Sequence, residues 1–296
     1  MSKRKPLRVL VATDGSPAAR AAISTTLSFP WPDHVDVSAL VAGRIMTKRG
    51  ASPSEPMAGP ELPARVVAER AGRALAHRWP DAPVHTRPGS AVDAILAEAE
   101  RAGTDVIVMG WRGQGAVGRL LCGSVSRGVV RGAGCAVLVV RRAAHDVRRV
   151  VLGFDGSAHA RRAVALVARL GAPRGGRVTL LSAAASVPDT PSHVLAPRAL
   201  RAEVAARRRE IVTEQLERAR RTLERPARTL EAAGWKVDRE VTTGAPLDDL
   251  LAAVRAEHAR LLVVGARGRS PLEKLMVGSV AEGALDRSPV PILITR

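Results

Sequence analysis

Short apolar runs alternate along the chain with longer stretches in which apolar residues return every three or four positions. The runs predict strands at Val9–Ala12, Val35–Val41, Val84–Thr86, Val106–Met109 and Ala136–Val140. They predict a second set at Val150–Gly153, Arg177–Leu181, Lys236–Val241, Leu261–Val264 and Pro291–Thr295. The periodic stretches predict helices at Ala18–Leu27, Pro63–Arg78, Ala91–Arg101 and Ser124–Gly132. Further helices are expected at Ala158–Leu170, Arg198–Ala233, Pro246–His258 and Val280–Asp286. Strands that read as unbroken Val/Leu runs are buried on both faces, which implies parallel pairing through helical crossovers. Right-handed crossovers then give a doubly wound α/β layer.

The order of elements occurs twice. RVLVATDGSPAARAAI (Arg8 to Ile23) returns as RRVVLGFDGSAHARRAV (Arg148 to Val164), and the segment Asp105 to Val125 returns as Arg260 to Val280. The Asp-Gly-Ser elements lie 141 residues apart and the later glycines 155, so the second copy carries about 14 more residues in its middle. The fold class is therefore α/β, with two tandem doubly wound, parallel five-stranded sheets of Rossmann-like type in domains 1–146 and 147–296. The added length falls in the Arg/Glu-rich helix from Arg198. There Arg207, Arg208 and Arg209 interleave with Glu203, Glu210, Glu214 and Glu217, a solvated, ion-paired face or a partner-binding helix. Thr47–Pro63 is rich in Pro, Gly and Ser and reads as a mobile loop, with Ser186–Arg198 as its shorter counterpart.

Composition narrows the function. The 296 residues are 46% apolar and carry a formal charge of +18, split as 20 basic against 12 acidic residues through Asp146 and 26 against 16 after it. An even spread is not a basic tail, and two Phe, four Trp and no Tyr leave few platforms for stacking single-stranded bases. Specific nucleic-acid binding is disfavoured against a solvated basic surface. No apolar run is long enough to span a bilayer. The N-terminus lacks a signal-type apolar region, so a soluble, cytoplasmic protein is expected. Cys122 and Cys135 are too few for a disulfide framework or a cysteine zinc site.

The candidate chemistry lies in two repeated motifs. Gly110, Gly113, Gly123 and Ser124 form G-x2-G-x9-G-S, and Gly265, Gly268, Gly278 and Ser279 repeat it. Each block follows a buried strand and leads into a helix, where bare backbone and free N–H groups suit a phosphate. The alternative is a tight strand-to-helix turn. Asp14 and Asp155, in Asp-Gly-Ser, end the first strand of each copy, where open α/β sheets bind ligands. Such a carboxylate suits a ribose, an adenine or a hydrated Mg²⁺, and Asp or Ser there also suits an N-cap.

Gly113, Gly115 and Gly118 spell a dinucleotide fingerprint, but after the wrong strand and without a counterpart in the second copy. No G-x4-G-K-[ST] is present, which excludes a P-loop NTPase. The seven histidines show no metal-ligand spacing and read as surface or loop residues. Cys122 beside Gly123 is either a small packing residue or a thiol activated at a helix N-terminus.

The Asp-Gly-Ser element after strand one, with G-x2-G-x9-G-S after strand four, resembles the universal stress protein family over nearly the whole chain. The resemblance implies an adenine nucleotide alpha hydrolase-like fold that binds ATP, with or without Mg²⁺, and pairs through its final strand. That pairing would be made between the two halves or in a homodimer. By position, Gly110, Arg112, Gly113, Gly123, Ser124 and Val125 would hold ribose and phosphates in copy one. Gly265, Arg267, Gly268, Gly278, Ser279 and Val280 would do so in copy two. Thr13, Asp14, Phe154 and Asp155 match positions near the adenosine, and Ala42 and Ala183 a position that often holds Val against the base. Trp111 in copy one stands where copy two has Ala266. Glu282, on the first turn after the second cradle, is expected to repel phosphate and make copy one the better site. The resulting expectation is a stress-response regulator or sensor with slow hydrolysis or none. The alternatives are a nucleotide-independent interaction protein with a basic face, or an enzyme of the wider nucleotide-binding α/β class.

Overall fold

The apolar runs form β1 (Leu7–Thr13), β2 (Val35–Gly43), β3 (Val84–Pro88), β4 (Val106–Gly110) and β5 (Ala136–Val140) in the first half. The second half has β6 (Arg149–Gly153), β7 (Arg177–Ala183), β8 (Lys236–Thr242), β9 (Leu261–Gly265) and β10 (Ile292–Thr295). Between them run α1 (Pro17–Ser28), α2 (Ala64–Ala76), α3 (Ala91–Ala102) and α4 (Ser124–Gly132). The second half repeats them as α5 (Ala158–Leu170), α6 (Arg198–Ala232), α7 (Pro246–Ala256) and α8 (Ser279–Arg287). The structure, a computed structural model, describes residues 5–43, 63–113, 122–184, 198–268 and 277–296. The loops expected at Thr47–Pro63 and Ser186–Arg198, apart from Pro63 and Arg198 themselves, lie outside the described residues, as do Gly115, Gly118 and His193.

Each half is a parallel sheet in the order β3-β2-β1-β4-β5 or its equivalent β8-β7-β6-β9-β10. The two are joined into one ten-stranded sheet, because β5 and β10 pair antiparallel with Val137 opposite Ile294, Leu138 opposite Leu293 and Val139 opposite Ile292. Alternation along the strands feeds two helical layers. Val9, Val11, Leu138 and Leu293 face the layer of α1, α2, α5 and α6, whereas Leu10, Val137, Ile292 and Ile294 face α3, α4, α7 and α8. Each core is continuous across the junction. Every fully buried Val, Leu or Ile contributes roughly 1.5–3 kcal/mol.

The outer strands depart from the unbroken apolar pattern. β8 (KVDREVT) is largely exposed, and its charged residues protect a sheet edge from pairing with other chains. Among the described side chains of α6 the C-terminal end is docked: Leu223, Ala227 and Leu230 are buried, while most of the preceding residues from Glu203 are exposed.

Candidate functional site

The strand order reverses between β1 and β4, and again between β6 and β9, so a crevice opens beyond the C-terminal ends of each pair. In the first half Asp14, Gly15 and Ser16 form its near wall. Gly15 has φ 78°, and the Asp14 carboxylate accepts the Ser16 N–H at 2.9 Å. The Ser16 hydroxyl caps α1 by accepting from Ala19 N at 3.1 Å and donates to the Arg112 carbonyl at 3.3 Å, which ties the two walls together. Thr13 is buried at the end of β1, and its hydroxyl accepts the Gly15 N–H at 3.3 Å.

The glycines of the far wall serve different ends. A Cβ on Gly110 would stand 2.6 Å from the Ala18 carbonyl carbon, so this glycine lets α1 cross the end of β4. Gly113 is exposed, and a Cβ there would stand 2.6 Å from Asp14 Oδ2. Gly123 donates to the Trp111 carbonyl at 2.9 Å and begins α4 with no side-chain cap. Ser124 is exposed, Val125 is half-buried against the core, and the Ser126 hydroxyl turns inward to the Gly110 carbonyl at 2.8 Å. An uncapped helix start leaves N–H groups and the positive end of the dipole available to an anion.

The second crevice repeats this geometry. Asp155 accepts from Ser157 N at 2.9 Å, and the Ser157 hydroxyl donates to the Arg267 carbonyl at 3.2 Å. A Cβ on Gly268 would stand 2.9 Å from Asp155 Oδ2, and one on Gly265 would stand 2.9 Å from His159 Cβ. Gly278 donates to the Ala266 carbonyl at 2.7 Å and starts α8, again without a side-chain cap. Ser279 is exposed and Val280 half-buried. Ala42 and Ala183 end β2 and β7 on the neighbouring strands, both half-buried.

Two residues depart from their expected roles. The Phe154 side chain is buried in the core under α5 and α6, because β6 directs it to that face, so only its backbone borders the crevice. Glu282 does not confront the cradle alone. It is ion-paired to Arg127 and, at 2.9 Å, to Arg131, both from α4 of the other half. The compensated charge removes the reason for ranking the first site above the second. Trp111 likewise turns into the junction, where its indole Nε1 donates to the Leu285 carbonyl at 2.7 Å and the Arg112 and Arg141 guanidinium groups stack on its ring.

His159 is a residue that sequence reasoning missed. It lies against Gly265, its Nδ1 is 3.4 Å from the Thr295 carbonyl, and burial pushes its imidazole pKa down. Its counterpart Ala18 carries no polar signal, and the sequence offered no hint of contact. Cys122 is buried with Sγ 3.5 Å from the Trp111 carbonyl, and burial pushes the thiol up to about 12, which is the packing role. Among the described residues no group of three His, Cys, Asp or Glu could hold a metal, and no helix is long and apolar enough to cross a membrane.

A model of the universal stress protein family matches residues 7–141 and again residues 146–296. A universal stress protein of Mycolicibacterium smegmatis is 30% identical over 216 residues, covering 69% of this chain and 66% of that protein. One of Mycobacterium bovis is 29% identical over 227 residues, covering 72% of this chain and 67% of that protein. The chain thus spans about two thirds of the length of these curated relatives. The crystal structure of a universal stress protein from Archaeoglobus fulgidus shares the fold, with TM-score 0.59, 18% identity and 98% of both chains covered.

Proposed function

The chain belongs to the universal stress protein family, and from that premise we propose that it binds ATP in its two crevices and acts as a stress-response regulator. One observation carries this reading. In each half a carboxylate, an exposed glycine and an uncapped helix start meet at the switch point of the sheet. The cradle suits a nucleotide, because Gly113 and Gly268 leave the Asp14 and Asp155 carboxylates uncovered, where a Cβ would stand 2.6 and 2.9 Å from Oδ2.

In the first half Gly113, Ser124 and Val125 offer backbone N–H groups and Ser124 a hydroxyl to the phosphates, Gly123, whose own N–H is held by the Trp111 carbonyl, lets the backbone come close, and Arg112 offers charge. Thr13, Asp14 and Ala42 border the ribose and base. Gly268, Gly278, Ser279, Val280 and Arg267 play the same parts in the second half, with Asp155, Ala183 and the Phe154 backbone. A Mg²⁺ accompanying the phosphates would meet Asp14 or Asp155. Both carboxylates accept a serine N–H, which fixes their orientation toward the crevice, and the reading is of nucleotide binding with slow hydrolysis or none. Occupancy would alter the surface around the glycine blocks, which a partner protein could read.

The test is to purify the protein without added nucleotide, denature it and identify the released nucleotides by mass. Gly113→Ala and Gly268→Ala are run beside it, singly and together. Retained ATP lost one site at a time supports the reading. A protein that is empty and also ignores ATP in titration overturns it.

A further inference from the structure

The opposite edge of the second half carries a feature that the nucleotide reading does not use. Where β6, β7 and β9 begin, a cavity of about 490 Å³ is lined by Arg148, Arg149, Arg177, Arg260, His258 and Asp146. Its volume falls within the range of small-ligand sites. β6 separates it from the Asp155 crevice by roughly 16 Å, at 3.3 Å per strand residue. Arg148 is paired with Asp146, Arg177 with Asp238 at 2.7 Å, and the Arg149 guanidinium donates to the Glu257 carbonyl at 3.3 Å. All four arginines are exposed and line the hollow, with the Asp146 carboxylate on its rim and the Asp238 carboxylate paired to Arg177 beside it.

The repeat shows that this is not a property of the fold. Register places Asp36 beside Arg8 in the first half where Arg177 stands beside Arg149 in the second. Arg260 likewise stands where the first half has Asp105, which is ion-paired at 2.8 Å to Arg169 of α5. Two acids have become two arginines at one edge of one half.

Backbone conformation adds an independent sign. Asp146 (φ 60°) and His258 (φ 48°) are the non-glycine residues with positive φ among the described residues, and both line the cavity. His258 occupies the left-handed position after α7 that Gly103 (φ 60°) fills after α3. A histidine there is strained relative to glycine, and such strain concentrates at binding sites.

We infer that this cavity is a second anion site, present in the second half only, that holds a compact polyphosphate of two or more linked phosphate groups. Arginine forks match phosphate oxygens in pairs. A concave, single-sided hollow suits a short anion and not a duplex, which would need contacts spread along a face.

The test is calorimetric titration of the full chain with inorganic tripolyphosphate at low and high salt. The variants are Arg177→Asp with Arg260→Asp, which restore first-half residues, and separately His258→Gly. One tripolyphosphate per chain, weakened by salt and at least about tenfold by the double variant, supports the proposal. So does a His258→Gly protein that melts no lower yet binds more weakly. Unchanged binding in the double variant overturns it, as does binding lost only with Gly113→Ala and Gly268→Ala, which places the anion in the crevices. A short DNA duplex that binds more tightly than tripolyphosphate, and is lost in the same double variant, also overturns the small-anion assignment.

Discussion

Glycines of one motif divide into two kinds once their surroundings are known. Gly110 faces the backbone of Ala18, which cannot give way, so Gly110→Ala should cost about 1–3 kcal/mol, read as a lower urea midpoint. Gly113 faces a carboxylate in open crevice. Gly113→Ala should therefore leave the urea midpoint nearly unchanged while abolishing nucleotide retention in the first half. Gly278→Ala meets nothing closer than 3.5 Å and should fold normally. The cysteines make a second prediction at this scale. Burial pushes Cys122 up to about 12 and Cys135 up to about 11, so iodoacetamide should modify neither at neutral pH until the protein is denatured. Because the folded protein holds these protons more tightly than the unfolded chain, stability is complete below the ordinary thiol pKa. It should fall as pH rises from there toward about 11 to 12.

Helix ends and edges show how elements divide their labour. Ser16, Ser90 and Ser157 cap α1, α3 and α5, whereas α4 and α8 begin on glycines with no side-chain cap. At each crevice the near-wall helix, α1 or α5, starts with its serine cap filled, and the far-wall helix, α4 or α8, starts with its N–H groups uncapped. α3 is anchored by Glu98, 4% exposed, which Arg101 and Arg87 hold together with His85 on β3. The Arg101 hydrogen bond pulls its carboxyl pKa down. This stability is present above the ordinary carboxylate pKa and is lost as pH falls through the depressed folded value. Glu98→Gln should lower stability by about 2 kcal/mol at neutral pH and flatten the acid limb of a pH-dependent melt. In α6, Pro226 lacks the N–H that would bond back to Thr222 and sits where the exposed limb meets the docked end. Amides of residues 203–221 should exchange faster with deuterium than those of residues 227–232, measured by mass spectrometry.

The halves of the molecule complement one another in charge. Arg127 and Arg131 on α4 occupy the positions of Glu282 and Asp286 on α8, and the junction sets them against each other, with Arg127 to Asp286 at 2.7 Å. Two first halves paired the same way would oppose arginine to arginine, so the arrangement favours the unlike pair. Arg127→Glu should destabilise the protein by about 2–4 kcal/mol in thermal melts, and adding Glu282→Arg should recover at least half of that. Trp111→Ala should cost about 3–5 kcal/mol, since it removes a buried indole and its bond to Leu285 together.

Periodicity, duplication and the spacing of the glycines are properties of the chain read in order, and they located nearly every strand and helix. A Val run is buried wherever it lies in such a sheet, and an Asp-Gly-Ser after it must turn into a helix. Charge has no such local rule. GSVSR against GSVAE reads as a difference between two sites, and only the antiparallel pairing of β5 with β10 turns it into ion pairs. Phe154 and Thr13 share a position, yet the bulk of one side chain and the hydroxyl of the other give them different work, set by the layer of helices beneath. Arg148, Arg177 and Arg260 are scattered along the sequence, and a cavity exists among them because strand order brings the starts of β6, β7 and β9 to one edge.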